Sequence, residues 1–226
     1  MMDLKRKQIS VGLQLKICNM EYITEYSEYM NKKIIEDPRK AIGGLWKELG
    51  NLQFNFLVKK GLEPYNSILD IGCGILRGGL KFINYLDPIR YCGMDISTKA
   101  IMLGIGSIPT EEFSYKMPRF VVNNDLKFRE FNGRNFDYIL AQSVFTHLPK
   151  ECIEECFENV KNIMHKKSRF YFTFFYATEH REEKNYKFRY PLKYFKTLAK
   201  KHGYKIKDVS SEYLHPRGQW MIEMTL

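Results

Sequence analysis

The feature that most constrains the fold is a short apolar run that breaks directly into a glycine loop. Residues 67–79 read Ser-Ile-Leu-Asp-Ile-Gly-Cys-Gly-Ile-Leu-Arg-Gly-Gly. The apolar half predicts a buried strand, and we expect a helix after the loop. Gly72 and Gly74 allow a tight turn and a close approach to a ligand, because glycine carries no Cβ. A strand, a glycine loop and a helix in this order predict a site for a nucleotide-containing cofactor.

Asp70 indicates which kind of cofactor this loop accepts. Its carboxylate lies two residues before Gly72 and would repel the pyrophosphate of a dinucleotide. A ligand with a positively charged amino group would be attracted to the same carboxylate. The position therefore argues against a dinucleotide.

Two further acids end the next predicted strands. Residues 90–95 form a strand that ends at Asp95, and Asp125 follows the strand at residues 120–122. The carboxyl ends of successive parallel strands line the ligand crevice of an open α/β sheet. A carboxylate in the position of Asp95 is suited to accept hydrogen bonds from both hydroxyls of a ribose.

With these acids in register, residues 41–226 resemble the class I S-adenosylmethionine (SAM)-dependent methyltransferases. Residues 136–149 are similar to the fourth strand and active-site loop of that family. The resemblance implies that Asp70 holds the methionine part of SAM, Asp95 the ribose and Asp125 the adenine amino group. It implies six further cofactor-binding residues, which are Gly72, Cys73, Gly74, Ile96, Leu126 and Gln142.

The resemblance also implies the fold class and the domain organisation. We expect an α/β fold with a doubly wound, mostly parallel seven-stranded sheet, an antiparallel last strand and an N-terminal helical extension. The chain is divided into a helical extension or lid at residues 1–60 and a Rossmann-like SAM-binding domain at residues 61–226. Tyr22, Tyr26 and Tyr29 share one face of the extension, either as part of the lid or as a docking stripe.

Two connections and one departure from the family pattern bear on the pocket. Residues 104–118 read as a variable loop able to contribute to the pocket, and residues 176–190 as a charged loop that borders the substrate. Leu76 stands where many members have a third loop glycine. We therefore expect the following helix to approach the cofactor somewhat differently.

Three more residues are assigned to the cofactor. The Arg77 guanidinium could reach the cofactor carboxylate or an anionic substrate, or be an ordinary exposed helix arginine. Residues 41–56 are similar to a segment of one bacterial branch of the family, which places Trp46 and Gln53 near the cofactor. Gly50 in that segment costs stability inside a helix, and a close backbone approach would explain it.

His147, in the loop after the fourth strand, is the first candidate for a catalytic base. Methyl transfer to a hydroxyl benefits from a base that removes the proton. His180, His215 and Glu179 are the next candidates, and the alternative role of His147 is structural, at the start of the following helix. Metal-dependent members need a cluster of carboxylates near the acceptor; none is assembled locally, so we expect a reaction without a metal.

The basic charge points to an acidic partner. The net charge is +10, and residues 161–226 hold 15 basic and 6 acidic residues. This excess favours a phosphorylated small molecule, a nucleic acid or an anionic membrane surface, or it is only a solvated surface. The branch accompanies bacterial surface-polysaccharide pathways, so we expect O-methylation of a sugar, nucleotide-sugar or other phosphorylated intermediate by a monomer or homodimer.

Two other functions remain as alternatives. The first is an RNA methyltransferase; the residues after the fourth strand read Ala-Gln-Ser-Val-Phe and not the Pro-Pro motif of base-amine methylation, which leaves ribose methylation open. The second is a non-catalytic Rossmann-like nucleotide-binding protein.

The cysteines and the first residues bear on the location of the protein. The five cysteines, Cys18 among them, are odd in number and lack zinc-site spacing, which indicates reduced thiols. The basic residues 5–7 are followed by no long apolar stretch, so neither a signal peptide nor a membrane span is indicated. We expect a cytoplasmic protein.

Overall fold

The computed structural model describes residues 21–131 and 133–226; the basic residues 5–7 and Cys18 lie outside them. The strands are β1 (Ile68–Ile71), β2 (Tyr91–Asp95), β3 (Arg119–Val122), β4 (Phe136–Ala141), β5 (Met164–Tyr176), β6 (Arg181–Glu183), β7 (Lys187–Tyr190), β8 (Lys205–Asp208) and β9 (Gln219–Thr225). The helices are α1 (residues 21–36), α2 (Pro38–Ala41), α3 (Trp46–Lys59), α4 (Gly79–Tyr85), α5 (Thr98–Ile105), α6 (Thr110–Lys116), α7 (Lys150–Asn159) and α8 (Leu192–His202). Short 3-10 turns lie at Arg129–Phe131, Val160–Ile163 and Ser210–Glu212.

All nine strands form one sheet, which confirms the predicted doubly wound α/β fold. The order β3-β2-β1-β4-β5 is parallel throughout, and β9 pairs antiparallel with β5 and with the edge strand β8. These are the seven expected strands. The two additional strands, β6 and β7, form a hairpin, and β7 pairs parallel with the end of β5.

Alternate residues of the central strands point to opposite faces of the sheet, and each face is covered by helices. In β5, Phe170, Phe172 and Phe174 pack with residues of α7 and α8. Tyr171 lies between them in sequence and packs on the other face with residues of α3 and α4. Burial on both faces explains why the central strands are almost wholly apolar.

Two connections differ from their prediction as loops. Residues 104–118 contain the helix α6, and they do not line the cavity described below. The charged segment 176–190 contains the β6–β7 hairpin. All three residues of β6 are exposed, whereas β7 alternates between charged residues and the buried side chains of Phe188 and Tyr190. Asn185 and Lys187 of the hairpin do line the cavity, as expected for this segment.

The first three helices lie against the carboxyl ends of the strands. Helix α3 approaches the glycine loop closely at Gly50, where an added Cβ would lie 2.8 Å from the carbonyl oxygen of Arg77. This contact gives the glycine within a helix its physical reason. Among the described residues, no helix has the length and apolar character needed to cross a bilayer.

Candidate functional site

A cavity of about 540 Å³ lies at the carboxyl ends of the parallel strands, under α1 and α2. Its size is typical of small-molecule sites. His147 lines it, and Trp46 does not; the Trp46 ring packs near Ile34 with the Arg39 guanidinium 5.2 Å from its centre. The other predicted cofactor residues all line the cavity: Gln53, Asp70, Gly72, Cys73, Gly74, Arg77, Asp95, Ile96, Asp125, Leu126 and Gln142.

The glycine loop leaves β1 through a left-handed turn. Gly72 has a φ of +69°, and an added Cβ would overlap the Val144 side chain. Leu76 has a φ of +64°, a conformation that glycine adopts more readily than leucine does. Its fully buried side chain fills space left by Gly104, where a Cβ would lie 2.6 Å from Leu76 Cγ. Packing of the leucine side chain therefore offsets the strained backbone.

Asp70 is held by one hydrogen bond. The Tyr91 hydroxyl donates to Asp70 Oδ2 at 2.8 Å. Asp70 is only 4 % exposed, and burial raises its pKa to about 7 despite the opposing effects of Tyr91 and the more distant Arg77. Oδ1 makes no hydrogen bond to any described residue. It is available to a cationic ligand, which would stabilise the charged carboxylate.

Asp95 connects the glycine loop to the start of α5. Its Oδ2 accepts the Gly74 N–H and its Oδ1 accepts the Ser97 N–H, each at 2.8 Å. Burial raises the pKa of Asp95, and the backbone donors oppose that shift. Because each carboxylate oxygen has two lone pairs, both retain the capacity to accept a ribose hydroxyl.

The predicted adenine end contains a second carboxylate that the sequence analysis missed. Asp125 Oδ1 accepts the Lys127 N–H at 2.9 Å. The Leu126 N–H donates to Glu155 Oε2 at 2.9 Å, and Lys127 Nζ lies 3.5 Å from Glu155 Oε1. Glu155 comes from α7, so only the tertiary structure brings it to this loop.

Two polar side chains at the other end keep hydrogen-bonding groups without partners among the described residues. Gln53 is 4 % exposed and makes no hydrogen bond within the described residues. Arg77 Nη1 donates to the carbonyl oxygens of Ile42 and Gly44 at 3.0 and 3.1 Å, while its buried Nε has no partner. Burial lowers the pKa of Arg77 to about 10, which keeps it charged at neutral pH. Both side chains fit an anionic group of a ligand.

Gln142 belongs to a hydrogen-bonded cluster between β4 and β9. Its Oε1 accepts from the Tyr213 hydroxyl at 2.7 Å, and its Nε2 donates to Ser143 Oγ at 3.0 Å. Gln219, also in the cavity lining, accepts from Ser143 Oγ at 3.0 Å. Ser143 has a φ of +60°, so this network holds the active-site loop in a strained conformation.

The surroundings of His147 determine its tautomer. Nδ1 lies 2.7 Å from the carbonyl oxygen of Tyr186, which only accepts hydrogen bonds, so Nδ1 carries the proton. Burial lowers the pKa of His147, and the cations Lys187, Lys33 and Arg217 lower it further. The ring is therefore neutral at pH 7, with the Nε2 lone pair free to accept a proton.

Tyrosines of α1 fix the position of His147. The Tyr22 hydroxyl donates to the His147 carbonyl oxygen. The Tyr26 ring stacks on the imidazole with centres 5.7 Å apart, and Tyr186 contacts Tyr22, Tyr26 and Tyr29. Tyr22, Tyr26 and Tyr29 therefore dock α1 and also line the cavity.

Three cations around His147 were not among the predicted site residues. Lys33 comes from α1, Lys187 from β7, and Arg217 from the turn at residues 215–219. All three line the cavity, and each contributes to the lowered pKa of His147. Their sequence separation explains why no local pattern predicted them.

The other candidate bases lie outside the cavity lining. His180 packs beside Phe188 and Tyr190, and Glu179 is exposed. His215 Nδ1 accepts the Arg217 N–H at 3.1 Å, and burial lowers the pKa of His215 to about 4. Residues 21–131 and 133–226 contain no group of three His, Cys, Asp or Glu side chains suited to hold a metal ion.

Comparison with known proteins agrees with this architecture. Residues 69–170 match the model of a family described as "methyltransferase domain". The matched segment contains the glycine loop, all three strand-end acids and His147. The match confirms the prediction of a methyltransferase. Structural neighbours crystallised with SAM or SAH are consistent with SAM as its cofactor.

Solved structures with the same fold share little sequence with this chain. Magnesium protoporphyrin IX methyltransferase from Synechocystis PCC 6803, with bound SAM, has a TM-score of 0.66 and 18 % identity over 90 % of this chain and 96 % of that chain. A SAM-dependent methyltransferase of Leishmania major has a TM-score of 0.68 and 11 % identity, with 90 % and 82 % covered. The glycopeptide N-methyltransferase MtfA has a TM-score of 0.60 and 9 % identity, with 78 % and 90 % covered.

Proposed function

Starting from the methyltransferase domain at residues 69–170, we propose that the protein transfers the methyl group of SAM to a hydroxyl of a small anionic molecule. The observation that carries this proposal is the state of His147. It is a neutral imidazole whose Nδ1–H is bound to the Tyr186 carbonyl oxygen, in the same cavity as Asp70, Asp95 and Asp125.

The cofactor is assigned to polar groups that line the cavity. Asp70 Oδ1 would accept from the α-ammonium group, and Gln53 with Arg77 would bind the carboxylate. Asp95 would accept from the ribose hydroxyls. Asp125 and Leu126 would bind the adenine, once the Leu126 N–H exchanges its bond to Glu155. When bound, SAM supplies an electrophilic methyl group on a sulfonium.

His147 is proposed as the general base. As the acceptor oxygen forms its bond to the methyl group, the hydroxyl proton passes to Nε2 of His147. The imidazolium that results is stabilised by the Tyr186 carbonyl oxygen at Nδ1. The lowered pKa of His147 keeps the base unprotonated at neutral pH before the reaction.

The acceptor is proposed to carry an anionic group beside the reacting hydroxyl. Lys33, Lys187 and Arg217 converge on His147, and an anion would offset their mutual repulsion. Tyr22 and Tyr26 offer apolar ring surface in the same part of the cavity. A sugar, nucleotide-sugar or other phosphorylated intermediate of surface-polysaccharide biosynthesis meets both requirements.

Three broader assignments belong to the same proposal. The predicted lid at residues 1–60 lies within the described structure only from residue 21, and the contacts of α1 with His147 support a lid role for that part. The protein acts in the cytoplasm, which the buried thiols Cys73, Cys92 and Cys156 support. It acts as a monomer or a homodimer. Protoporphyrin as the named substrate of one structural neighbour supports a small-molecule acceptor.

The test is S-adenosylhomocysteine (SAH) formation with paired acceptors that differ only in a phosphate or carboxylate group. We expect turnover of the anionic member of a pair. We expect Lys187→Met to raise KM for it by about tenfold, the usual loss for one charge-assisted contact. Lys184→Met is the matched control, because Lys184 is exposed on the same hairpin but does not line the cavity. Equal turnover of the uncharged member would contradict the anionic acceptor.

Nucleic acid is tested in parallel. RNA binding over a salt series, with a methylation assay on the same RNA, separates nonspecific charge attraction from a substrate. Methylated RNA would replace the small-molecule assignment.

A further inference from the structure

Tyr91 lies beneath the cofactor loop and does not line the cavity. It is the first residue of β2, where it pairs with Ile68 of β1, two residues before Asp70. Its side chain is 2 % exposed. The hydroxyl donates to Asp70 Oδ2 at 2.8 Å and makes no other hydrogen bond in the described part of the chain. Within the described residues, this buried hydroxyl therefore hydrogen-bonds to the Asp70 carboxylate alone.

The space for this hydroxyl depends on Gly79, the first residue of α4. A Cβ on Gly79 would lie 2.5 Å from the Tyr91 oxygen, closer than the van der Waals contact of carbon and oxygen atoms. The glycine therefore lets the phenol reach under the start of α4 to Asp70. Three elements, β1, β2 and α4, meet to make this contact.

We propose that Tyr91 is a positioning residue for the cofactor: its hydroxyl holds Asp70 in the charged form and turns Oδ1 toward the cavity. The proposal rests on the assignment of Asp70 to the cofactor's ammonium group. Because Tyr91 does not line the cavity, its hydroxyl would act on the cofactor only through Asp70.

The other charged and titratable groups around Asp70 leave its ionisation closely balanced. Asp95 from β2 opposes the charged form, and Arg77 from the segment before α4 favours it. Cys73 of the loop has a pKa raised well above its usual value by burial, and is neutral. Burial raises the pKa of Asp70 to about 7 even with the Tyr91 hydrogen bond in place. Cofactor affinity should therefore fall as the pH drops through about 7, because a protonated Asp70 does not attract an ammonium group.

The experiment is calorimetric titration of the full chain with SAH from about pH 5.5 to about pH 8.5, a range that spans the unperturbed histidine pKa and the value expected for Asp70. In Tyr91→Phe, the fall in affinity should move to higher pH by about one to two units, the usual strength of a hydrogen bond to a charged group. At pH 7 this weakens SAH binding by about fivefold or more. No acceptor is needed.

Tyr138→Phe is the matched control. Tyr138 is also buried, at 7 % exposed, and its hydroxyl donates to the Lys60 carbonyl oxygen at 3.1 Å, outside the cavity. We expect its SAH titration to follow the wild-type pH dependence. A shift in Tyr138→Phe equal to that in Tyr91→Phe would make the effect structural and overturn the proposal.

The remaining outcomes distinguish a failure of the cofactor assignment from a failure of the role proposed for Tyr91. Wild-type protein that binds no SAH at any pH refutes the cofactor assignment itself. Wild-type binding with an unchanged pH dependence in Tyr91→Phe refutes the role of Tyr91 alone. If Tyr91→Phe does not fold, Gly79→Ala decides, because its methyl group displaces the hydroxyl while the phenol remains. Its pH dependence must shift in the same direction.

Discussion

The two ends of the cavity are built differently. At the cofactor end, Asp70 and Asp95 are fixed by groups from adjacent strands and the loop between them, and each bond is 2.8 Å long. At the end proposed to bind the acceptor, His147 is held by Tyr22 and Tyr26 of α1 and by Tyr186 of the hairpin. The first arrangement depends on the sheet, and the second on elements laid over it.

This difference shows which parts of the chain supply the residues at each end of the cavity. Strand ends carry the groups proposed to bind the cofactor, so the sheet order brings them together. The groups proposed to bind the acceptor come from α1, β7 and the turn at residues 215–219, which only the packed protein brings near His147. Sequence changes in these covering elements can therefore alter the acceptor without disturbing the cofactor site.

The largest expected effect separates the two ends directly. His147→Ala should lower turnover by roughly 10²–10⁴-fold, the usual contribution of a general base, while the dissociation constant for SAH changes little. Steady-state kinetics and calorimetry on the same preparation measure both. His165→Ala is the matched control, because His165 pairs with Asp137 at 3.1 Å, away from the cavity. Unchanged turnover in His147→Ala would leave this residue a structural role only.

Asp70→Asn should stabilise the ligand-free protein and weaken SAH binding. An unfolded aspartate has a pKa near about 3.9, whereas burial raises that of folded Asp70 to about 7. A raised carboxyl pKa means that the wild type loses stability as pH rises between these values, and the asparagine variant does not. Above about pH 7 the ligand-free variant should be more stable by roughly 2–4 kcal/mol, and SAH binding should be weak.

Denaturant unfolding of both proteins at several pH values measures this difference. It should be small near about pH 4, grow until about pH 7 and then stay constant. A difference that does not change across this window would mean that Asp70 carries no ionisation cost in the fold.

Asp95→Ala should weaken SAH binding by roughly 10–100-fold, since it removes an acceptor for the ribose hydroxyls. The variant should keep the fold but lose about 1–3 kcal/mol of stability, because the Gly74 and Ser97 N–H groups lose their partner. Asp137→Ala is the control: Asp137 accepts the Ser67 N–H at 2.7 Å, outside the cavity. Near-normal SAH affinity in Asp95→Ala would remove the ribose assignment.

The smallest expected effect is a loss of stability at the contact between Gly72 of the glycine loop and Val144 of the active-site loop. Gly72→Ala should cost about 1–3 kcal/mol, from the φ of +69° and from overlap with Val144. Adding Val144→Ala should recover the part due to overlap and leave the backbone part. A double-mutant cycle by chemical denaturation measures the coupling. Strictly additive losses would show that the two side chains do not compete for this space.

Sequence reasoning succeeded where a function follows from order along the chain. The register of Asp70, Asp95 and Asp125 at the ends of β1, β2 and β3 follows from the alternation of strands and helices. The prediction of loops was wrong where tertiary packing outweighed a weak local signal. Residues 110–116 form a helix despite the surrounding glycines and prolines, and charged residues at 181–190 form a hairpin anchored by Phe188.

The sequence by itself determined the fold class, the glycine loop and the strand-end acids of the cavity, because apolar periodicity and strand-end acids are local properties that parallel pairing brings into one crevice. Only the tertiary structure decided that Glu155 reaches Leu126, that Lys33, Lys187 and Arg217 converge on His147, and that Tyr91 supports Asp70. These contacts join elements far apart in the chain or buried beneath the loop. No local pattern records them, because each depends on distances that exist only after the sheet and its covering helices have packed.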